Sequence, residues 1–163
     1  MALTDNENLK QDDIIDINLE GIKRKRFRIN GDPDAIIELN LSDLGIMERL
    51  NVGMDKLADE MSTISNIPDD ADNETFQTKL KEADAKMREY VDYIFDYPVS
   101  AVCAKYGTMY DPQDGQFRYE IIIDGLTKLY TDNINSEFKK IQTRIKKHTD
   151  KYTGNPSKKN KRR

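Results

Sequence analysis

Two segments of the chain carry apolar residues at spacings that alternate between three and four positions. They are Met47, Leu50, Met54, Leu57, Met61 and Ile64 in the first segment, and Phe76, Leu80, Ala83, Met87, Tyr90 and Ile94 in the second. This alternation places every member on one stripe of an α-helix, because an α-helix has about 3.6 residues per turn. A narrow apolar stripe must be buried against another helix, so the sequence predicts packed helices.

The two stripes predict an αα-hairpin over residues 43–64 and 73–95. Ser42-Asp43 is a candidate N-cap for the first helix. The connection 65–72 contains a proline and three Asp, whose side chains can cap the second helix. Pro98 ends that helix, because proline lacks a backbone donor and pushes the preceding residue out of the helical region.

Two further helices are expected after Pro98. A short one over residues 99–106 has apolar residues at i, i+3, i+4 and i+7, with Gly107 placed as a C-terminal cap. The turn residues 111–115 then lead into a long last helix over about residues 116–147. The predicted fold is therefore mainly α, a helical bundle in which the αα-hairpin packs against a long C-terminal helix.

A small N-terminal antiparallel β-hairpin is expected ahead of the helices. Strand-like segments separated by turn residues lie at 15–19, 22–29 and 36–41. We interpret residues 1–13 as a disordered arm, because they carry no periodic apolar set. The rest divides into one domain over 14–152, with the sheet at 14–41 and the bundle at 43–147, and a basic disordered tail at 153–163.

The sequence lacks the residues of a recognisable catalytic, nucleotide or metal site. The single Cys103 and the single His148 cannot together form a zinc cage, and neither phosphate-binding glycine motif occurs. Aligning Asp114-Gly115 with a calcium loop leaves its required carboxylates missing. Acidic pairs such as Glu82 and Asp84 are interpreted as solvated surface. We therefore expect no cofactor, no metal and no enzymatic activity.

The charge distribution is asymmetric. Residues 139–163 carry 11 Lys and Arg against one acid, whereas residues 1–138 carry 15 basic and 29 acidic side chains. The basic segment 139–163 and the basic cluster 23–28 could bind nucleic acid, but we interpret 23–28 as a charged edge strand. No stretch approaches the roughly 20 apolar residues of a membrane helix, and the first residues do not form a signal peptide. No membrane association and a cytosolic location are expected.

Candidate partner-binding residues follow from the stripes and the basic end. The regularly spaced Met47, Met54 and Met61 suit either an adaptable core or a binding groove, and both readings stay open. The other candidates are the aromatic Tyr93, Phe95 and Tyr97 and the terminal Lys158, Lys159, Arg162 and Arg163. Because an uncovered apolar stripe is costly in water, the stripes also predict self-association.

The layout resembles the tail assembly chaperones of long-tailed bacteriophages that infect Gram-positive bacteria. The shared features are a small β-hairpin, two long helices, a middle segment and a final helix, and that segment here is Phe95-Asp96-Tyr97-Pro98-Val99-Ser100-Ala101-Val102-Cys103 followed by Tyr106-Gly107. The resemblance covers roughly residues 14–150. The strongly basic C-terminus departs from it.

The resemblance implies a non-enzymatic protein of the host cell cytoplasm that assists assembly of the viral tail tube. Its implied client is the long, aggregation-prone tape measure protein, with the major tail protein as a second partner. The alternatives are a structural or scaffold component of a phage particle, a helical adaptor protein, or a nucleic-acid-binding regulator. For the last of these, the basic tail lacks interleaved stacking aromatics or a recognition motif.

Overall fold

A computed structural model describes residues 15–17, 19 and 24–152 of the 163-residue chain. Its helices are α1 (Ile46–Ser65), α2 (Asn73–Phe95), α3 (Val99–Cys103) and α4 (Arg118–Tyr152), and its strands are β1 (Lys25–Arg28), β2 (Ile36–Leu39), β3 (Pro112–Gln113) and β4 (Gln116–Phe117). The mainly helical fold with a small antiparallel hairpin near the N-terminus confirms the predicted fold class. The predicted arm and tail lie outside the described residues.

The β1–β2 hairpin forms from two of the three predicted strands. The strands pair antiparallel with Lys25 opposite Leu39 and Arg28 opposite Ile36. Period-two alternation directs Ile37 and Leu39 into the core. The first predicted strand is wrong, because residues 15–17 and 19 are not in a strand and their apolar side chains are highly exposed. The turn residues that follow it, Glu20-Gly21, lie outside the described residues.

Helix α2 has the predicted bounds because its caps are local. The Asp72 carboxylate accepts a hydrogen bond from the Thr75 amide at 2.8 Å, which satisfies one of the free amides of the first turn. At the other end Asp96 adopts the left-handed conformation, with φ of 49°. The predicted cap in the 65–72 loop is thereby confirmed, and the helix ends ahead of Pro98.

Helix α1 begins at Ile46, three residues later than predicted. The Asp43 carboxylate accepts a hydrogen bond from the Gly45 amide at 2.9 Å and binds the Arg49 guanidinium at 2.7 Å. These bonds hold residues 43–45 in a turn, as Asp side chains commonly do when they bond the backbone two residues on. The residue at the N-cap position is therefore Gly45, which makes no side-chain cap.

The segment between α2 and α4 is tied to α2 by side chains that the sequence did not mark. Arg88 donates to the carbonyls of Ala104 and Gly107, both at 2.9 Å, and binds Asp84 at 2.8 Å. Asp84 also accepts from the Met109 amide at 2.7 Å. Asp84 is thus a half-buried structural residue, and interpreting it as solvated surface was wrong.

The short helix and the following turn differ in detail from the prediction. Helix α3 ends at Cys103 rather than near Tyr106, and Gly107 lies beyond it with a φ of +82°. Asp114 and Gly115 both have positive φ and join β3 to β4 as a two-residue hairpin turn, for which Asp-Gly is a favoured sequence. Because 116–117 pair in this hairpin, α4 starts at Arg118 instead of Gln116.

One continuous core joins all of the helices to the first hairpin. Helix α1 packs mainly against α2, and α2 also packs against α3 and α4. The N-terminal half of α4 supplies the buried side chains Tyr119, Ile122, Ile123, Leu126 and Tyr130. From Phe138 to Lys151, by contrast, every side chain of α4 is exposed. The long helix therefore has a core-packed half and an outer half.

Candidate interaction surface

The outer half of α4, residues 138–152, is the largest part of a described helix that lies outside the core, and we call it the α4 extension. At about 1.5 Å per residue it is about 22 Å long. Phe138, Ile141 and Ile145 are exposed by 49%, 39% and 56%. With the half-buried Ile134 before them, they are spaced four, three and four residues apart. The extension thus continues α4 with an apolar stripe that the core does not cover.

The base of this stripe forms a shallow groove against the chain segment that precedes α1. The groove has a volume of about 300 Å³ and is lined by Ser42, Leu44, Asn133, Ile134, Glu137, Phe138 and Ile141. Leu44 is 57% exposed and adds an apolar wall from outside α4. The Asn133 side-chain amide donates to the Leu41 carbonyl at 3.2 Å, which fixes α4 to this segment. The base of the stripe is therefore held against the segment that precedes α1.

Basic side chains surround the stripe. Residues 138–152 contain six Lys and Arg and one acid, Asp150. At the base, Lys140 donates to Glu137 at 2.8 Å, and this hydrogen bond and the Lys140 charge lower the pKa of Glu137. Basic residues near a helix C-terminus also interact favourably with the helix dipole. The α4 extension is thus a basic amphipathic helix.

The predicted methionine stripe of α1 lies beside the buried face of that helix. Met47 and Met54 are 59% and 37% exposed and Met61 is half-buried, whereas the buried positions are Ile46, Gly53, Leu57 and Glu60. Three of these four precede the methionines by one residue, which is about 100° around the helix. The stripe therefore lies between core and solvent, and it matches neither of its two sequence interpretations in full.

The three aromatic candidates lie in different surroundings. Phe95 is 1% exposed and its ring centroid lies 6.1 Å from that of Tyr130, so interpreting it as a binding residue was wrong. Tyr97 is half-buried against the core, and Tyr93 is 46% exposed. The structure therefore leaves Tyr93 alone as a well-exposed member of this set. Lys158, Lys159, Arg162 and Arg163 lie outside the described residues.

Two polar side chains near α3 have structural surroundings. Asp92 accepts from both the amide and the hydroxyl of Ser100, at 2.7 and 2.9 Å, and so holds the start of α3. Burial, with the nearby Asp92 charge, raises the pKa of the Cys103 thiol to about 11. That thiol is protonated at neutral pH and a poor nucleophile. Across residues 24–152 no group of three His, Cys, Asp or Glu is placed to hold a metal.

The sequence predicts a helix that contains Phe138, Ile141 and Ile145, but these residues were not among the predicted binding residues. The signal was present in the sequence, because their alternating spacing coincides with a basic stretch of the chain. The sequence does not show which half of a long apolar stripe is covered by the core. No sequence pattern indicates that Leu44 is exposed, because its exposure depends on where α4 packs.

The chain was compared with protein family models, with curated proteins and with solved structures, and none of them matches. In the described part of the chain, no helix combines the length and the apolar character that crossing a bilayer requires.

Proposed function

We propose that this chain is a non-enzymatic assembly chaperone that binds helical segments of a larger client through uncovered apolar helix surface. The observation that carries the proposal is the α4 extension, an amphipathic helix whose apolar stripe has no partner among the described residues. Amphipathic helices commonly recognise other proteins by packing side chains at i, i+3, i+4 and i+7 into a partner.

The client we propose is the tape measure protein of a long-tailed bacteriophage, with tail tube assembly as the process assisted and the major tail protein as a second partner. This part of the proposal comes from the resemblance in layout described above. It fits the observed surfaces, because a long helical client exposes many apolar stripes before the tail tube encloses it. The place of action would be the cytoplasm of the infected host cell.

The test is co-expression with a tape measure protein encoded in the same genome. We expect the tape measure protein to move from the insoluble to the soluble fraction and to co-purify with the chain. The gene itself should lie between a major tail protein gene and a tape measure gene. If the wild-type chain neither solubilises nor retains the tape measure protein, the proposed function is wrong.

The methionine side of α1 is a second contact in this proposal. Met54→Asp should leave the protein folded, because Met54 is 37% exposed, and should weaken capture by placing a charge in an apolar contact. Val52→Asp is the matched control, since Val52 is 39% exposed and lies about 200° away around the same helix. Equal capture by both variants would exclude the methionine side as a contact.

Mass spectrometry of purified phage particles separates an assembly factor from a structural component. We expect the chain to be absent from mature tails, because a chaperone is released when its client is enclosed. A stoichiometric amount in the particle would instead identify a structural component.

A further inference from the structure

We propose that the α4 extension docks an acidic amphipathic helix of the partner protein, with which it forms a short two-helix coiled coil. This inference rests on the proposed function, because it names the chemistry of the client segment. It goes beyond that function by assigning the binding surface and by specifying the residues that the partner segment must carry.

The width of the apolar stripe indicates a helix as the occupant. Ile134, Phe138, Ile141 and Ile145 follow the spacing of the two seam positions of a heptad repeat. The positions between them are polar, so the stripe is only as wide as a coiled-coil seam. A helix that lies on a lipid surface instead buries a broad apolar face. The width of the stripe therefore matches the apolar ridge of one partner helix.

The charges that flank the seam specify an acidic partner. In this heptad register Arg144 and Lys151 occupy equivalent positions next to the seam, where side chains of paired helices form interhelical ion pairs. Glu137 occupies the same position one heptad earlier, but its carboxylate already pairs with Lys140 at 2.8 Å. Lys139 and Lys146 lie farther from the seam. A partner helix with Glu or Asp beside its own apolar seam would meet Arg144 and Lys151 with opposite charge.

The same charges disfavour a second copy of this chain on the stripe. Each extension carries six basic residues and one acidic residue, so pairing two of them would bring like charges together. Nucleic acid would satisfy the basic residues but would not cover the apolar seam. An acidic helix satisfies both the charge and the seam, and it is the occupant that we assign.

The first experiment measures binding of the full chain to three synthetic helical peptides. The peptides share one leucine seam and differ only at the flanking positions, which are all Glu, all Gln or all Lys. We expect the Glu peptide to bind at least about tenfold more tightly than the Gln peptide, and its affinity to fall as salt rises. Equal affinity for the Glu and Lys peptides would overturn the proposal.

The second experiment locates the seam with two variants of equal charge change. Ile141→Asp places a carboxylate in the seam, whereas Thr143→Asp places it on the exposed opposite side of the same helix. Both sites are exposed, so both proteins should stay folded by circular dichroism. We expect Ile141→Asp to weaken binding of the Glu peptide roughly tenfold or more and Thr143→Asp to weaken it far less. Equal loss in the two variants would overturn the assignment of the seam.

The third experiment separates specific ion pairs from overall charge. The double variant Arg144→Gln with Lys151→Gln removes the flanking charges, and Lys139→Gln with Lys146→Gln removes the same number of charges farther out. The first pair should lower both the affinity for the Glu peptide and its salt dependence more than the second pair. Equal effects would mean that net charge alone attracts the peptide, which contradicts the proposed pairing.

Two outcomes distinguish this inference from the proposed function and from a nucleic-acid role. If the wild-type chain solubilises the tape measure protein and Ile141→Asp does so equally well, the inference fails while the function stands. If a DNA duplex of about 20 base pairs competes fully with the Glu peptide, and Ile141→Asp leaves duplex binding unchanged, the basic surface is a nucleic-acid site and the inference is wrong.

Discussion

Gly53 allows α1 to approach α2 closely, and it fixes which side of α1 is buried. A Cβ atom built on Gly53 would lie 2.6 Å from Ile94 Cδ1 and nearer still to Ile94 Cγ1. Ile94 is fully buried, so it has little room to move away. The contact places Gly53, rather than Met54, against the second helix. Helix propensity alone would make Gly53 only a weak point of α1, yet its contact with Ile94 sets the rotation of this helix.

We expect Gly53→Ala to destabilise the protein by up to about 2 kcal/mol, because the overpacking cost of about 1–3 kcal/mol equals or exceeds the gain of about 1 kcal/mol in helix propensity. The measurement is urea unfolding followed by circular dichroism. Gly125→Ala is the matched control, since a Cβ at Gly125 would meet nothing within 4 Å. That variant should gain about 0.5–1 kcal/mol. A similar gain for Gly53→Ala would contradict the close approach.

At the level of elements, α4 combines a structural and an exposed half in one continuous helix. Its first half supplies Tyr119, Leu126 and Tyr130 to the core, whereas its second half leaves every described side chain exposed. Most helical stability in proteins comes from packing of an apolar face. The outer half is therefore stabilised by continuity with the packed half rather than by the core.

Truncating the chain after Glu137 should leave the remaining protein folded. We expect the thermal midpoint to change by no more than about 3 °C, because exposed residues contribute little to stability. Truncation after Gly125 is the control, since it also removes the buried Leu126 and Tyr130 and should abolish the cooperative transition. Differential scanning calorimetry compares the two proteins. A large fall in the midpoint after the first truncation would show that the extension packs on the body.

Charge is separated along the chain. The 25 C-terminal residues carry 11 basic side chains and one acid, while the rest of the chain is strongly acidic. Exposed apolar side chains favour association, but like charges on the basic ends oppose it. The balance between these two effects depends on salt.

We expect self-association of the free chain to strengthen between about 0.1 M and about 1 M salt, where the Debye length falls from about 10 Å to about 3 Å. Screening removes the repulsion between basic ends and leaves the apolar attraction. Light scattering at high micromolar concentration measures the change, and Ile141→Asp should reduce it. A monomer at both salt concentrations would contradict the prediction. Binding of an acidic helix should show the opposite salt dependence.

Elements whose causes are local could be predicted from the residues alone. The bounds of α2 follow from the Asp72 cap and the break before Pro98. A turn at 111–115 was also predicted, although the β3–β4 hairpin that it forms was not. The number and order of the long helices follow from apolar spacing. These features could be read from the residues because each depends on contacts a few positions apart. Much of the fold was therefore predicted, including its mainly helical class.

The candidate surface was only partly predictable, because burial is decided by contacts between residues distant in the sequence. Spacing shows that Met54 and Ile141 belong to apolar stripes, but it does not show which side of a stripe another helix covers. The close contact of Gly53 with Ile94 places the Gly53 side of α1, rather than its methionine side, against α2. Tyr130 packs beside Phe95 and helps to bury its ring. Helix α4 extends beyond the hydrophobic core. The tertiary packing therefore leaves Phe138, Ile141 and Ile145 uncovered.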